Sequence, residues 1–97
     1  MDTRFLESFL IVIEQGSLAG AARQLRLTPA SVAQRIRALE DEIGCPIVQR
    51  DGRNVRPTEQ GLAIIEQSRA IVTSVRDLCA IAASDKPVGT LRIGAIS

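Results

Sequence analysis

Apolar residues return every three or four positions from Thr3 to Gln15, at Phe5, Leu6, Phe9, Leu10, Val12 and Ile13, which predicts a helix with one buried face. Asp2 or Thr3 stands where an N-cap is needed, and Gly16 where the helix should stop. Ser17 then caps a short second helix, Leu18 to Leu25, in which Ala19, Gly20, Ala21 and Ala22 let another helix come close while Arg23 and Gln24 stay outside. The link that follows is very short. Thr28-Pro29 reads as an N-cap followed by proline at the first helical position, so a third helix opens there. Its stripe is Val32, Ile36, Leu39 and Ile43, with Gly44 and Pro46 ending it, and Gln34, Arg35 and Arg37 lie off the stripe.

Two short extended runs come next, Ile47 to Arg50 and Arg53 to Arg56, on either side of Asp51-Gly52, a pair suited to a type I′ turn. This predicts a hairpin with arginines at its tip. Thr58 caps a fourth helix from about Glu59 to Ala83, on the order of 37 Å long at 1.5 Å per residue, more than a small domain needs. Ile64, Ser68, Ile71, Val75, Leu78 and Ala82 form a heptad-like seam along it, and Leu62, Ile65, Val72 and Cys79 a neighbouring stripe. Ser84 to Gly89 reads as a linker, and Thr90 to Ile96 as a strand opening something further, so the chain is expected to be a piece of a larger protein.

The pattern thus predicts a mainly α fold: a winged helix-turn-helix of three helices and a two-stranded wing, followed by a long dimerisation helix. The expected divisions are 1–58 for the winged domain, with the helix-turn-helix at about 18–37 and the wing at about 47–56. Residues 59–84 form the linker helix, and 85–97 a hinge and the first strand of a truncated domain.

Charge alters this picture more by its placement than by its sum. The formal net charge is +1, but residues 23–37 carry four arginines and no acid, and residues 50–56 carry three arginines against Asp51. Eleven of the twelve basic residues are arginine, whose planar fork suits phosphate oxygens and guanine edges. With aromatic content at 2%, carried by Phe5 and Phe9, stacking platforms for single strands have almost nothing to be built from, whereas duplex binding does not need them. There is no histidine, and Cys45 and Cys79 stand alone, so neither a metal site nor a disulfide framework is indicated. Signal-peptide and membrane-spanning patterns are lacking, so the expected location is cytoplasmic, with no membrane partner.

Two helices joined by a tight turn, the second with polar residues at its start, place that start in a DNA major groove. Thr28, Pro29, Ala30, Ser31 and Gln34 are then the candidates for base edges, and Arg35 and Arg37 for phosphates. Arg50 and Arg53 on the hairpin suit a minor groove. Alternatively, Arg50 and Arg56 pair with the Glu40-Asp41-Glu42 run, which otherwise is a solvated face. Ile64, Ile71, Val75 and Leu78 are the candidates for dimerisation. A protein-interaction module without a DNA role competes with this reading through the near-zero net charge and the seam. An enzyme is disfavoured, because no nucleophile has a base at motif spacing and no glycine-rich phosphate loop is present. No catalytic residue and no cofactor is assigned to this segment.

The assembled pattern resembles the N-terminal DNA-binding domain of LysR-type transcriptional regulators. The resemblance rests on Phe9, on Glu14 to Leu18 leading to Ala21 to Leu25, on Ile36 to Gly44, and on Arg50, Val55 and Thr58 to Gly61. Leu91 to Gly94 is similar to the opening strand of that family's effector domain. The sequence departs from the usual pattern at Pro29-Ala30, at Ala33, and at Val48, where phenylalanine is common. The resemblance implies sequence-specific duplex binding, dimers through the long helix that pair into tetramers in many members, and a small-molecule effector bound by a C-terminal domain.

Overall fold

The computed structural model describes residues 1–84; the expected linker and strand at 85–97 lie outside the described residues. The elements in chain order are α1 (Thr3–Gln15), α2 (Leu18–Leu25), α3 (Pro29–Ile43), β1 (Val48–Asp51), β2 (Asn54–Pro57) and α4 (Glu59–Ala83).

Each helix begins where a polar side chain satisfies a free backbone N–H. Asp2 accepts from the N–H of Arg4, Ser17 from Gly20, Thr28 from Ser31 and Thr58 from Gly61, contacts that contribute about 1 kcal/mol each. The arginine beside Asp2 also donates to its carboxylate through the side chain at 2.8 Å, and this holds the Asp2 pKa below its ordinary value and raises that of Arg4. Gly16 and Gly44 end α1 and α3 by returning their N–H groups to Val12 and Glu40.

No glycine marks the end of α2. Arg26 takes a left-handed conformation with φ +59°, Leu27 donates to the carbonyl of Ala22 at 2.9 Å, and Arg26 to that of Arg23 at 3.4 Å. This is a Schellman closure with arginine where glycine is usual. It turns the chain sharply enough for α3 to start two residues later.

Phe9, Val12, Ala21, Val32, Leu39 and Ile47 have no exposed surface and form the centre of the core, contributed by all three short helices and the approach to the hairpin. The stripes read from the periodicity are the ones buried: Leu6, Phe9 and Val12 on α1, and Val32, Ile36 and Leu39 on α3.

The hairpin differs from expectation by one residue. Asp51 pairs with Asn54 and Arg50 with Val55, so Gly52 and Arg53 are the two turn residues, rather than Asp51 and Gly52. Only Gly52 has positive φ, at +66°, which is the requirement of a type II′ turn and not of type I′. The expected register would have set Arg50 directly opposite Arg53, two like charges on one face; the observed one opposes Arg50 with an apolar residue. Because side chains alternate across a strand, the shift also decides which of them face the protein. Val55 is buried, and its N–H donates to the carbonyl of Gly16 at 2.8 Å, which fastens the wing to the α1–α2 corner.

α4 completes this core before it leaves it. Gly61, Ser68 and Val72 are buried, and Ile64 and Ile65 pack against the core, while Arg76 pairs with Glu7 of α1. Ser68, the polar member of the expected seam, is therefore turned onto its own domain. Further along, Leu78 and Ile81 are 66% and 72% exposed. Among the described residues no helix is long and apolar enough to cross a membrane.

Candidate nucleic-acid interface

The N-terminal turn of α3 lies on the surface. Thr28, Pro29, Ala30 and Gln34 are exposed and Ser31 is half-buried. The Thr28 hydroxyl donates to Ser31 Oγ at 2.9 Å while accepting from the Ser31 N–H at 3.1 Å. The two hydroxyls thus share one hydrogen bond, and Ser31 Oγ retains hydrogen-bonding capacity for an outside partner. No acid occupies the first turn, so the positive end of the helix dipole is uncompensated and favours an anion.

Around this turn the charges are sorted. Arg4, Arg56, Arg69 and Arg76 are each paired with a carboxylate, on Asp2, Asp51, Glu66 and Glu7. Among the described residues, Arg23, Arg26, Arg35, Arg37, Arg50 and Arg53 have no ion-pair partner. All six belong to the end of α2, to α3 or to the wing. Arg37 and Arg50 line one groove between α3 and the hairpin, floored by Leu18, Ile36, Val48 and Val55. Arg53 stands in the exposed turn itself. Arg35 is half-buried and bound to Ser8 of α1 at 3.1 Å.

The alternative pairing of the wing arginines with the acidic run is not what forms. Arg56 reaches Asp51 across the hairpin at 3.1 Å, and Glu42 lies 3.6 Å from the N-terminal amine. Glu40 is no solvated acid: its carboxylate accepts from the N–H groups of Ile47 and Val48, at 2.8 and 3.4 Å. It thereby anchors the start of the wing to α3.

Residues 3–62 match the family described as bacterial regulatory helix-turn-helix protein, lysR family. The chain belongs to the LysR family. A LysR relative, the transcriptional activator AaeR of Escherichia coli K12, is 36% identical over 91 residues, covering 92% of this chain and 29% of AaeR. The regulator ClcR of Pseudomonas putida is 33% identical over 95 residues, covering 96% of this chain and 32% of ClcR. The chain thus spans about a third or less of these relatives' length, both named as regulators of transcription rather than as enzymes. Among solved structures, the CbnR DNA-binding domain in complex with DNA superposes with a TM-score of 0.79 at 27% identity, over 87% of this chain and 97% of that one. Full-length LysG from Corynebacterium glutamicum with bound effector Arg gives 0.74 at 30% identity, over 87% of this chain and 29% of that one. The winged helix-turn-helix expected from the hydrophobic pattern is therefore the fold observed, and the family is the one the motifs resemble.

For this LysR domain the base-edge candidates Thr28, Pro29, Ala30 and Gln34 are exposed and Ser31 is half-buried, while the phosphate candidates Arg35 and Arg37 and the minor-groove candidates Arg50 and Arg53 divide. Arg37 and Arg50 meet in a groove, Arg53 stands at the wing tip, and Arg35 faces α1. Arg23 and Arg26 join this unpaired set without a motif to mark either of them; their place in the acid-free stretch before α3 is the one signal the sequence holds. Of the dimerisation candidates, Ile64 packs on the core, Val75 is half-buried, and Ile71 and Leu78 are exposed.

Proposed function

We propose that this chain is the DNA-reading end of a LysR-type transcription regulator, acting in the cytoplasm on duplex DNA. The N-terminal turn of α3 enters the major groove, where Ser31 and Gln34 meet base edges and Thr28, Pro29 and Ala30 fill the approach. Arg37 and Arg50 bind phosphates on either side of the groove between helix and wing, and Arg53 enters the neighbouring minor groove. The observation that carries this reading is the sorting of charge. The six arginines without a carboxylate partner all belong to the end of α2, to α3 or to the wing, whereas Arg4, Arg69 and Arg76 on the other helices are paired, as is Arg56 within the wing. Guanidinium groups without counterions carry uncompensated positive charge that phosphates would offset.

A dimer follows from the distal half of α4, where Ile71, Leu78 and Ile81 remain 37%, 66% and 72% exposed. A second copy covering this face sets two reading helices against two half-sites, and pairs of dimers give tetramers. The C-terminal continuation binds a small-molecule effector, a reading supported by full-length LysG with its bound effector Arg.

Duplexes selected from a random library, titrated against salt, test the reading. Log affinity should fall steeply with log salt, with a slope reduced by about 0.9 for each phosphate contact removed, as in Arg37→Ala or Arg50→Ala. Gln34→Ala should instead relax base preference at one position of each half-site. A flat salt response of the unaltered chain overturns the proposal.

A further inference from the structure

Arg35 follows Gln34 on α3, yet its guanidinium is held by α1. Nη1 donates to Ser8 Oγ at 3.1 Å, and the guanidinium carbon lies 5.3 Å from the centroid of the Phe5 ring, within cation–π range. Ser8 is fully buried, and its hydroxyl hydrogen is committed to the carbonyl of Arg4 at 2.9 Å, so its oxygen meets Arg35 as an acceptor. Arg35 has no ion-pair partner among the described residues, and Asp2, whose carboxylate is engaged by Arg4, feels its charge only as the smallest of several influences. The other N–H donors of the Arg35 fork make no hydrogen bond among the described residues. Phe5, Leu27, Ser31, Gln34, Arg35 and Ala38 line one cleft between α1 and α3, so these unused donors share a surface with the two side chains assigned to base edges.

A half-buried cation ordered by a neutral oxygen and a ring face, with no carboxylate paired to it, leaves its charge without a direct counterion while restricting its rotamer freedom. As a purely structural contact the combination gains a cation–π interaction and one neutral hydrogen bond, set against the cost of partly desolvating a charge without a counterion. An incoming anion gains twice, from the unpaired charge and from a fork already held in place. We propose that Ser8 and Phe5 are positioning residues that hold Arg35 ready for one phosphodiester of the duplex, beside the bases met by Ser31 and Gln34. The proposal rests on the DNA-binding reading above and gives α1, otherwise a core helix, a part in it.

The test titrates the selected duplex with the unaltered chain, Arg35→Gln, Ser8→Ala, Phe5→Leu and each α1 change combined with Arg35→Gln, across a salt series, with melting curves to confirm folding. Arg35→Gln should lower the salt slope by about 0.9, the signature of one lost phosphate. Ser8→Ala and Phe5→Leu leave the charge in place, so each should keep the slope and weaken binding roughly threefold to tenfold, by releasing a pre-ordered side chain. In the Arg35→Gln background neither should weaken binding further. Equal losses with and without Arg35, or a slope untouched by Arg35→Gln, would overturn the proposal while leaving the DNA reading in place. A flat slope for the unaltered chain would instead remove the reading on which it stands.

Discussion

Gly61, in the first turn of α4, sits directly against the carbonyl oxygen of Ile47, so close that a Cβ at position 61 would overlap it deeply. The contact is backbone to backbone, and neither side has a flexible end that could yield. It is locked by Thr58, whose N–H donates to that same Ile47 carbonyl at 3.1 Å and whose hydroxyl donates to the carbonyl of Pro46 at 2.7 Å. Position 61 therefore sets how closely the long helix is clasped to the root of the wing.

Gly61→Ala should cost about 3 kcal/mol, at the upper end of what overpacking does in a tight site. For a domain of this size that lowers the melting temperature by roughly 12–24 °C. Calorimetry on the variant decides the matter, and a melting temperature within a degree or two of the unaltered chain would show that the clasp relaxes freely.

Arg26 holds a left-handed conformation that favours glycine. Arg26→Gly should accordingly be more stable than Arg26→Ala by about 1 kcal/mol, although both lose the same charge. Denaturant unfolding gives the difference directly. In DNA titrations the two variants should share one salt slope, separating the conformational role of this position from its charge.

Glu40 ties the wing to α3 through two backbone N–H groups. Glu40→Ala should lose about 2–3 kcal/mol, since hydrogen bonds to a charged acceptor disappear and the donors are left unpaired, whereas Glu40→Gln keeps an acceptor and should lose less than half of that. Unfolding curves check the ranking; equal losses for the two variants would point to packing of the side-chain stem.

Leu78 is 66% exposed on the distal part of α4. Leu78→Asp should shift the unfolding free energy of the isolated protomer by no more than about 0.5 kcal/mol. If the proposed dimer forms through this face, the variant should nonetheless sediment as a monomer at micromolar concentration where the unaltered chain sediments as a dimer. An unchanged sedimentation profile would place the subunit contact elsewhere.

The helices are readable in the sequence because each carries its own signals. Asp2, Ser17, Thr28 and Thr58 are caps with local partners, and the spacing of Phe9, Val12, Val32, Ile36 and Leu39 records which face is buried. The exposure of Thr28, Pro29, Ala30 and Gln34 is readable for the same reason, because these positions lie off the apolar stripe of a single helix. Relationships between segments distant in sequence are not. Glu40 resembles its acidic neighbours Asp41 and Glu42 until the wing folds back onto it, and Ser8 resembles any small polar residue of a first helix until Arg35 arrives from α3. The end of α2 is obscured because arginine stands where glycine usually marks the turn.

Local order thus belongs to the sequence: periodicity and capping depend on residues within four positions of one another, and these dictate four helices, a hairpin and a basic stretch before α3. The tertiary fold decides the hairpin register, the clasp at Gly61, the inward turn of Ser68 and the pairing of Arg76 with Glu7. Those outcomes depend on which side chains and carbonyls meet across the core, and on how burial and repulsion weigh the alternatives, quantities that exist only once the elements have packed.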